Sequence, residues 1–301
     1  MKKFLFGAIC LMMMASCSSL KVVDQNAAAN AGLAAATALT ISDSQISQLC
    51  SEYMVQSDGE NTILPASSEY TQRLNRIMAK FHNIDNLNVN YKVYQSSTIN
   101  AFASGDGSVR VYSGLMDVMD DDELFAVIGH ELGHLKNKDV RDAYRTAYLI
   151  VAARYGIAAV NTTAGALSTG FLGDLGQELA SNAYSRKQEY EADEASFQFC
   201  VTNGVDPYAM YRALNVLVGL NANSGTQSAV AQMFSTHPDS GKRATRVKQM
   251  AEAAGYKMGS TSSGTSGVHV GGKSGSTGTG AKPSGATGSG KKGTGIKVGG
   301  K

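Results

Sequence analysis

The chain has no tryptophan, only four prolines, four cysteines and five histidines among 301 residues. It also has no acid after Glu252, although Lys257, Lys273, Lys282, Lys291, Lys292, Lys297 and Lys301 follow. Each shortage excludes something. No basic cluster interleaves with aromatics and no tryptophan is present, so a nucleic-acid-binding surface is not expected. Apolar runs of membrane-spanning length are missing too. "FLFGAICLMMM" is too short. "AYLIVAARYGIAAV" carries Arg154 in its middle and breaks soon after into Asn, Thr and Gly, so it reads as a helix packed on the domain. The net charge of +2 conceals an asymmetry: without those seven lysines, 20 basic residues face 25 acidic ones, a balance of −5. The body is mildly acidic and the tail is basic.

The length suits one globular domain of about 150–200 residues plus extensions. Lys2 and Lys3 precede the short apolar run, and "MASC" follows it. This resembles a bacterial lipobox, with Met14 where leucine is more usual. The resemblance implies a signal peptide over 1–16, cleavage before Cys17, and acylation of Cys17, each buried CH₂ adding about 0.8 kcal/mol of membrane affinity. Ser18, rather than aspartate, favours the outer membrane, with the protein facing the periplasm. The alternative is an ordinary secretory signal with a coincidental cysteine. Cys10 falls in the removed segment, so Cys50 and Cys200 remain in an oxidising compartment. They form either one disulfide or two buried thiols.

Residues 17–60 read as a tether or N-terminal arm, within which the alanine- and asparagine-rich 18–45 is a tether or a loosely docked helix. Residues 61–256 form the domain. Residues 257–301, nearly all glycine, serine, threonine and lysine, cannot bury a core and are expected to be disordered. Tyr70, Leu74, Ile77, Met78 and Phe81 recur at helical spacing, so 68–81 is the first domain helix. "LNVNYKVYQS" (87–96) alternates as a strand. "TINAFASG" and "SVRVYSG" flank a "GDG" turn, a hairpin signal. "DDELFAVIGHELGHLKNKD" is helical from about Asp121, with Asp120 or Asp121 able to cap it. The glycine stretch at 165–176 is expected to be a mobile loop over the site, and 176–204 a single long helix ended by Asn203-Gly204.

Two of the five histidines lie four apart in "HELGH". On a helix such positions share a face, so His130 and His134 can address one ion while Glu131 lies beside its open side. Catalytic zinc needs a third protein ligand and one open position. "HELGHLKNKD" lacks a third histidine at the metzincin spacing, so the ligand lies downstream. In "QEYEAD", Glu189 and Asp193 share a helical face, while Glu191 points roughly 200° away from Glu189, at about 100° per residue. Alone the pair would read as a solvated acidic helix face; after the "HELGH" helix, Glu189 reads as the ion's third ligand, with Asp193 taking the other ring N–H of a metal histidine and fixing its tautomer. His237, in "STHPDSGKR", is either a site residue able to donate to an oxyanion or a surface histidine of a loop. His82 and His269 have no visible constellation and read as surface residues.

The ordered set "NAFASGDGSVRVYSGLMD", "HELGH", "SRKQEYEAD" and "STHPDSGKR" resembles the HtpX-like and CAAX-prenyl-protease-like zinc metallopeptidases, gluzincins, and their small soluble periplasmic lipoprotein branch. The similarity covers roughly 68–255. It implies an α+β fold: a mainly helical zincin-type domain with a small antiparallel sheet beside the active-site helix. It implies one zinc ion on His130, His134 and Glu189, with Glu131 as base, Asp193 behind the ligands, and His237 near the transition state. Arg186 matches a family arginine. Asn100, Ala101, Phe102 and Ala103 match a strand beside the cleft, along which an extended substrate would add by backbone hydrogen bonds. Such binding reads shape more than sequence, so the implied function is endoproteolysis of unfolded or misassembled envelope proteins. Two rivals stand: a non-proteolytic envelope chaperone or assembly factor on the same zinc-bound fold, and a latent protease with 143–180 or the His237 loop covering the metal.

Overall fold

A computed structural model describes residues 42–84, 87–154 and 169–259. The leader, Cys17, most of the arm, His269 and nearly all of the basic tail lie outside the described residues. The architecture is α+β and mainly helical. In chain order it runs α1 (Asp43–Glu60), α2 (Glu69–Met78), β1 (Asn83–Ile84), β2 (Leu87–Asn88), β3 (Asn90–Tyr94), β4 (Ala101–Ala103) and β5 (Ser108–Tyr112). Then follow α3 (Ser113–Val118), α4 (Asp121–Lys136), α5 (Asp139–Arg154), α6 (Thr169–Ser181), α7 (Arg186–Thr202), α8 (Ala209–Ala222), α9 (Gln227–Thr236) and α10 (Ser240–Ala253). Among the described residues, no helix is long and apolar enough to cross a membrane.

The GDG hairpin forms as expected. β4 and β5 pair antiparallel, and Gly107 turns the chain at φ +91°, where a side chain would strike the carbonyl oxygen of Asn88. The sheet as a whole is mixed rather than antiparallel. Its order is β3-β5-β4, and β3 runs parallel to the central strand β5. The hairpin reverses the chain and β5 lands between its two neighbours; the alternating pattern of β3 carries no information on that direction. β4 is left at the edge.

α4 lies at the centre and packs along α7. Gly133 makes this possible: a Cβ there would lie 2.9 Å from the Ala195 Cβ and 3.1 Å from the Ala192 Cα. The helix starts with a capping box in which Asp120 accepts from the Glu123 backbone N–H and Glu123 accepts from that of Asp120. Leu124, Val127, Ile128 and Leu132 join the main core with β3–β5, α2, α8 and α10.

A second core forms between α1, α5 and α6. Ile46, Leu49 and Cys50 of α1 meet Val140, Tyr144, Ala147 and Tyr148 of α5 and Phe171 and Leu175 of α6. α1 is therefore docked on the domain. Its last turn also holds Asp58, which accepts from Arg110 Nε at 2.7 Å, Tyr94 Oη at 2.7 Å and Lys92 Nζ at 2.6 Å. Arg110 is only 2% exposed. Those hydrogen bonds, outweighing burial, bring the Asp58 carboxyl down to about 2.

The cysteine alternative is settled and two expectations change. Cys50 and Cys200 are buried free thiols in separate cores, so they form no disulfide; burial pushes each up to about 12. The stretch 169–176 is part of helix α6 rather than a loop. The long helix expected over 176–204 is two helices, broken at 182–185, where Ser185 caps α7 in a capping box with Gln188. The break makes room for Tyr184 beside the site.

Candidate metal centre

The helical spacing of α4 sets His130 and His134 side by side, with their Nε2 atoms 3.1 Å apart. α7 brings Glu189 against both: Oε2 is 3.6 Å from His130 Nε2, and Oε1 is 3.6 Å from His134 Nε2. His237, which follows α9, completes the group, its Nδ1 lying 3.0 Å from Glu189 Oε1 and 3.4 Å from His130 Nε2. Ligand atoms of these four buried residues all lie within 4.8 Å of one another.

This donor set fits a zinc ion. With Zn–N bonds of about 2.0–2.1 Å, the edges of a coordination tetrahedron are about 3.4 Å, close to the separations found here. Two imidazoles and a carboxylate are also the ligand types that zinc takes. The electrostatics agree. Burial disfavours charge on His134, yet Asp139 and Glu189 raise its pKa to about 9, so this corner attracts a positive charge. Burial also opposes ionisation of Glu189, but the adjacent His134 and His237 rings hold its carboxyl well below the usual range. Burial, followed by the nearby Arg243 charge, lowers the pKa of His130 and keeps its ring neutral.

Each α4 imidazole is held from behind. Asp193 Oδ1 lies 3.0 Å from His130 Nδ1, the position the helical period assigned to it. Asp139 Oδ2 lies 2.9 Å from His134 Nδ1 and is itself fixed by Gln188 Nε2 at 3.0 Å. Both pairings favour a proton on Nδ1, leaving the Nε2 lone pairs for an ion. Tyr184 stacks on His134, with centroids 3.9 Å apart. Arg243 donates through Nε and Nη2 to Asp193 and pairs through Nη1 with Glu189 Oε2.

Glu131 is 2% exposed, and its Oε1 has no hydrogen-bond partner; His237 Nε2 stands 3.6 Å away. Both line a cavity of about 200 Å³, bordered also by Asn100, Ala101, Phe102 and Ala103. The hydrogen bonds of Asn100 O with Tyr112 N and of Ser104 N with Ser108 O show which residues face β5. By alternation, Ala101 and Ala103 turn their N–H and C=O groups away from β5, to the side that no described strand pairs.

One expectation is overturned and one open alternative is settled. Arg186 is exposed at the start of α7; the buried arginine of the site is Arg243, six residues beyond His237. His237 is a buried site residue, not a surface histidine. Glu191 is exposed and pairs with Lys187, away from the cluster, as its helical angle implied. His82 is exposed. Asp139, Tyr184 and Arg243 went unrecognised. Asp139 is five residues past His134, off the helical period, and reaches it because Lys138 turns left-handed at φ 68°.

The model of peptidase family M48 matches residues 65–251. The chain is 38% identical over 236 residues to metalloprotease LoiP of Escherichia coli, covering 78% of this chain and 92% of that protein. It is 37% identical over 237 residues to metalloprotease YcaL of the same organism, covering 78% and 91%. A protease HtpX homolog of Salinibacter ruber is 31% identical over 180 residues, covering 52% and 65%.

Proposed function

The chain belongs to peptidase family M48 and is a metalloprotease, and from that premise we propose that it is a zinc endopeptidase of the bacterial cell envelope that cuts unfolded or misassembled proteins. The observation that carries this reading is the buried, unpaired Glu131 Oε1, which shares a cavity with His237 and β4 and lies next to His130 of the ligand cluster. A purely structural metal site, as in the chaperone reading, has no use for such a carboxylate.

His130, His134 and Glu189 would hold the ion. Bound zinc polarises a carbonyl and makes a water acidic enough to react near neutral pH. Glu131 Oε1 accepts the proton of the attacking water and passes it to the nitrogen of the leaving amine. His237 donates to the oxyanion. Asp193 and Asp139 keep the two α4 imidazoles in the tautomer the ion needs. Ala101 and Ala103 align the substrate as an added strand, by backbone groups common to every polypeptide. That mode of binding demands an extended chain, which unfolded proteins supply and compact ones do not.

Acylated Cys17 would anchor the protein, with the outer membrane favoured by Ser18. The lipobox-like "MASC" supports this. Radiolabelled palmitate should enter the wild type and not a Cys17→Ser variant; equal labelling removes the anchor. For the activity, purified protein should cleave unfolded casein, lose cleavage to a chelator and regain it on adding one equivalent of zinc. Chelator-resistant cleavage, or no cleavage by zinc-loaded protein, overturns the proposal.

A further inference from the structure

Buried polar atoms are nearly always paired in a folded protein, so an unpaired one marks the place of an absent partner. Three such atoms border the same cavity: Glu131 Oε1, Asn100 Oδ1 and Asn182 Nδ2. Glu131 has its use in proton transfer, and Asn100 belongs to the strand segment beside the cleft. Asn182 belongs to neither. It lies in the break between α6 and α7, and its unpaired atom is a donor, where the other two are acceptors.

The break holds Asn182 in a fixed frame. Its backbone N–H closes α6 on Glu178 O at 3.1 Å and Leu179 O at 3.3 Å. Two residues on, Tyr184 N–H donates to Thr236 O at 3.1 Å, just before His237, while the Tyr184 ring stacks on His134. Ser235 Oγ donates to Ala180 O at 3.3 Å and ties α9 to α6. A donor whose backbone is fixed this way loses little freedom when a ligand arrives. Polypeptide backbone offers one acceptor per residue, and a strand paired on one side only leaves alternate carbonyls free on the other.

We propose that Asn182 is a substrate-binding residue whose Nδ2 donates a hydrogen bond to a backbone carbonyl of the bound polypeptide, on the side that β4 leaves unpaired. This rests on reading the cavity as a polypeptide cleft. The break then has two tasks: Tyr184 packs on a metal ligand, and Asn182 holds the substrate.

The test measures binding apart from cleavage. Full-length, zinc-loaded protein carrying Glu131→Gln is titrated with fluorescein-labelled, unfolded β-casein and followed by anisotropy. Adding Asn182→Ala should raise Kd about tenfold, equivalent to about 1.4 kcal/mol, with zinc content and melting temperature unchanged. Asn182→Asp, which keeps the shape but can only accept, should weaken binding at least as much. A Kd within twofold of the parent for Asn182→Ala overturns the proposal. So does undiminished binding by Asn182→Asp, a loss that tracks lost zinc, or no casein binding by the parent. Casein that binds the silent protein but is not cut by wild type strikes the protease reading and leaves Asn182 in place. Casein cut by wild type but bound equally by all variants strikes only Asn182.

Discussion

Arg243 grips Asp193 with two adjacent donors, Nε to Oδ2 at 2.9 Å and Nη2 to Oδ1 at 2.6 Å, both residues fully buried. Asp193 in turn fixes His130. Arg243→Met leaves that carboxylate buried and uncompensated, which costs about 3–5 kcal/mol when one partner of such a pair is removed. Zinc affinity should fall about 10–100-fold, the usual result of losing support behind a metal histidine. Thermal melting and titration against a zinc-buffering chelator measure the two effects; unchanged values for both would show that the pair holds nothing in place.

Glu131→Gln keeps shape and polarity but cannot take a proton. Zinc should remain at one per chain while casein cleavage drops by at least about 10²-fold. Retained cleavage would refute its role as base.

The two glutamates of "QEYEAD" face different surroundings. Glu189→Ala should strip the site of stoichiometric zinc, whereas Glu191→Ala, which loses only an exposed contact with Lys187, should leave zinc and activity unchanged. Elemental analysis after gentle dialysis separates them, and equal losses would mean that Glu189 is not the ligand.

His237 stands close enough to the cluster to act either as an oxyanion donor or as a fourth ligand. As a donor, His237→Ala should lower kcat about 10²–10³-fold with zinc affinity unchanged. A parallel fall in zinc affinity would make it a ligand instead.

Asp58 supplies a pH dependence remote from the metal. Its carboxyl is depressed from the ordinary 3.8 to about 2, so its stabilisation is complete above roughly pH 5 and is lost as pH falls through about 2. Asp58→Asn should lower the urea midpoint most near neutral pH, and the gap to wild type should narrow between pH 5 and pH 2. A gap independent of pH would mean that Asp58 carries no charge-dependent stability.

Much of the centre was legible in the sequence because it is written in helical periods. His130 and His134, then Glu189 and Asp193, are i,i+4 pairs on two helices, and period alone also set Glu191 aside. Asp120 or Asp121 marked where α4 begins, and the structure uses Asp120. What stayed hidden enters by irregular backbone or across the fold. Asp139 arrives through the left-handed Lys138, and Arg243 follows Asp239, left-handed at φ 61°. The break at 182–185 had a local signal, the Ser185–Gln188 capping box, which the apolar and acidic run around it obscured. The direction of β3 relative to β5 follows from strand order, which no stretch of alternating residues encodes.

The docking of α1 sets a lower limit on the smallest working enzyme. The region shared with family M48 begins at residue 65, yet α1 ends at Glu60 and contributes Tyr53 and Ser57 to the cavity wall. A chain trimmed to the homologous region would bare the oily flank of α5 and open the cleft on one side. It would be a sticky protein with a misshapen mouth, even with every metal ligand present.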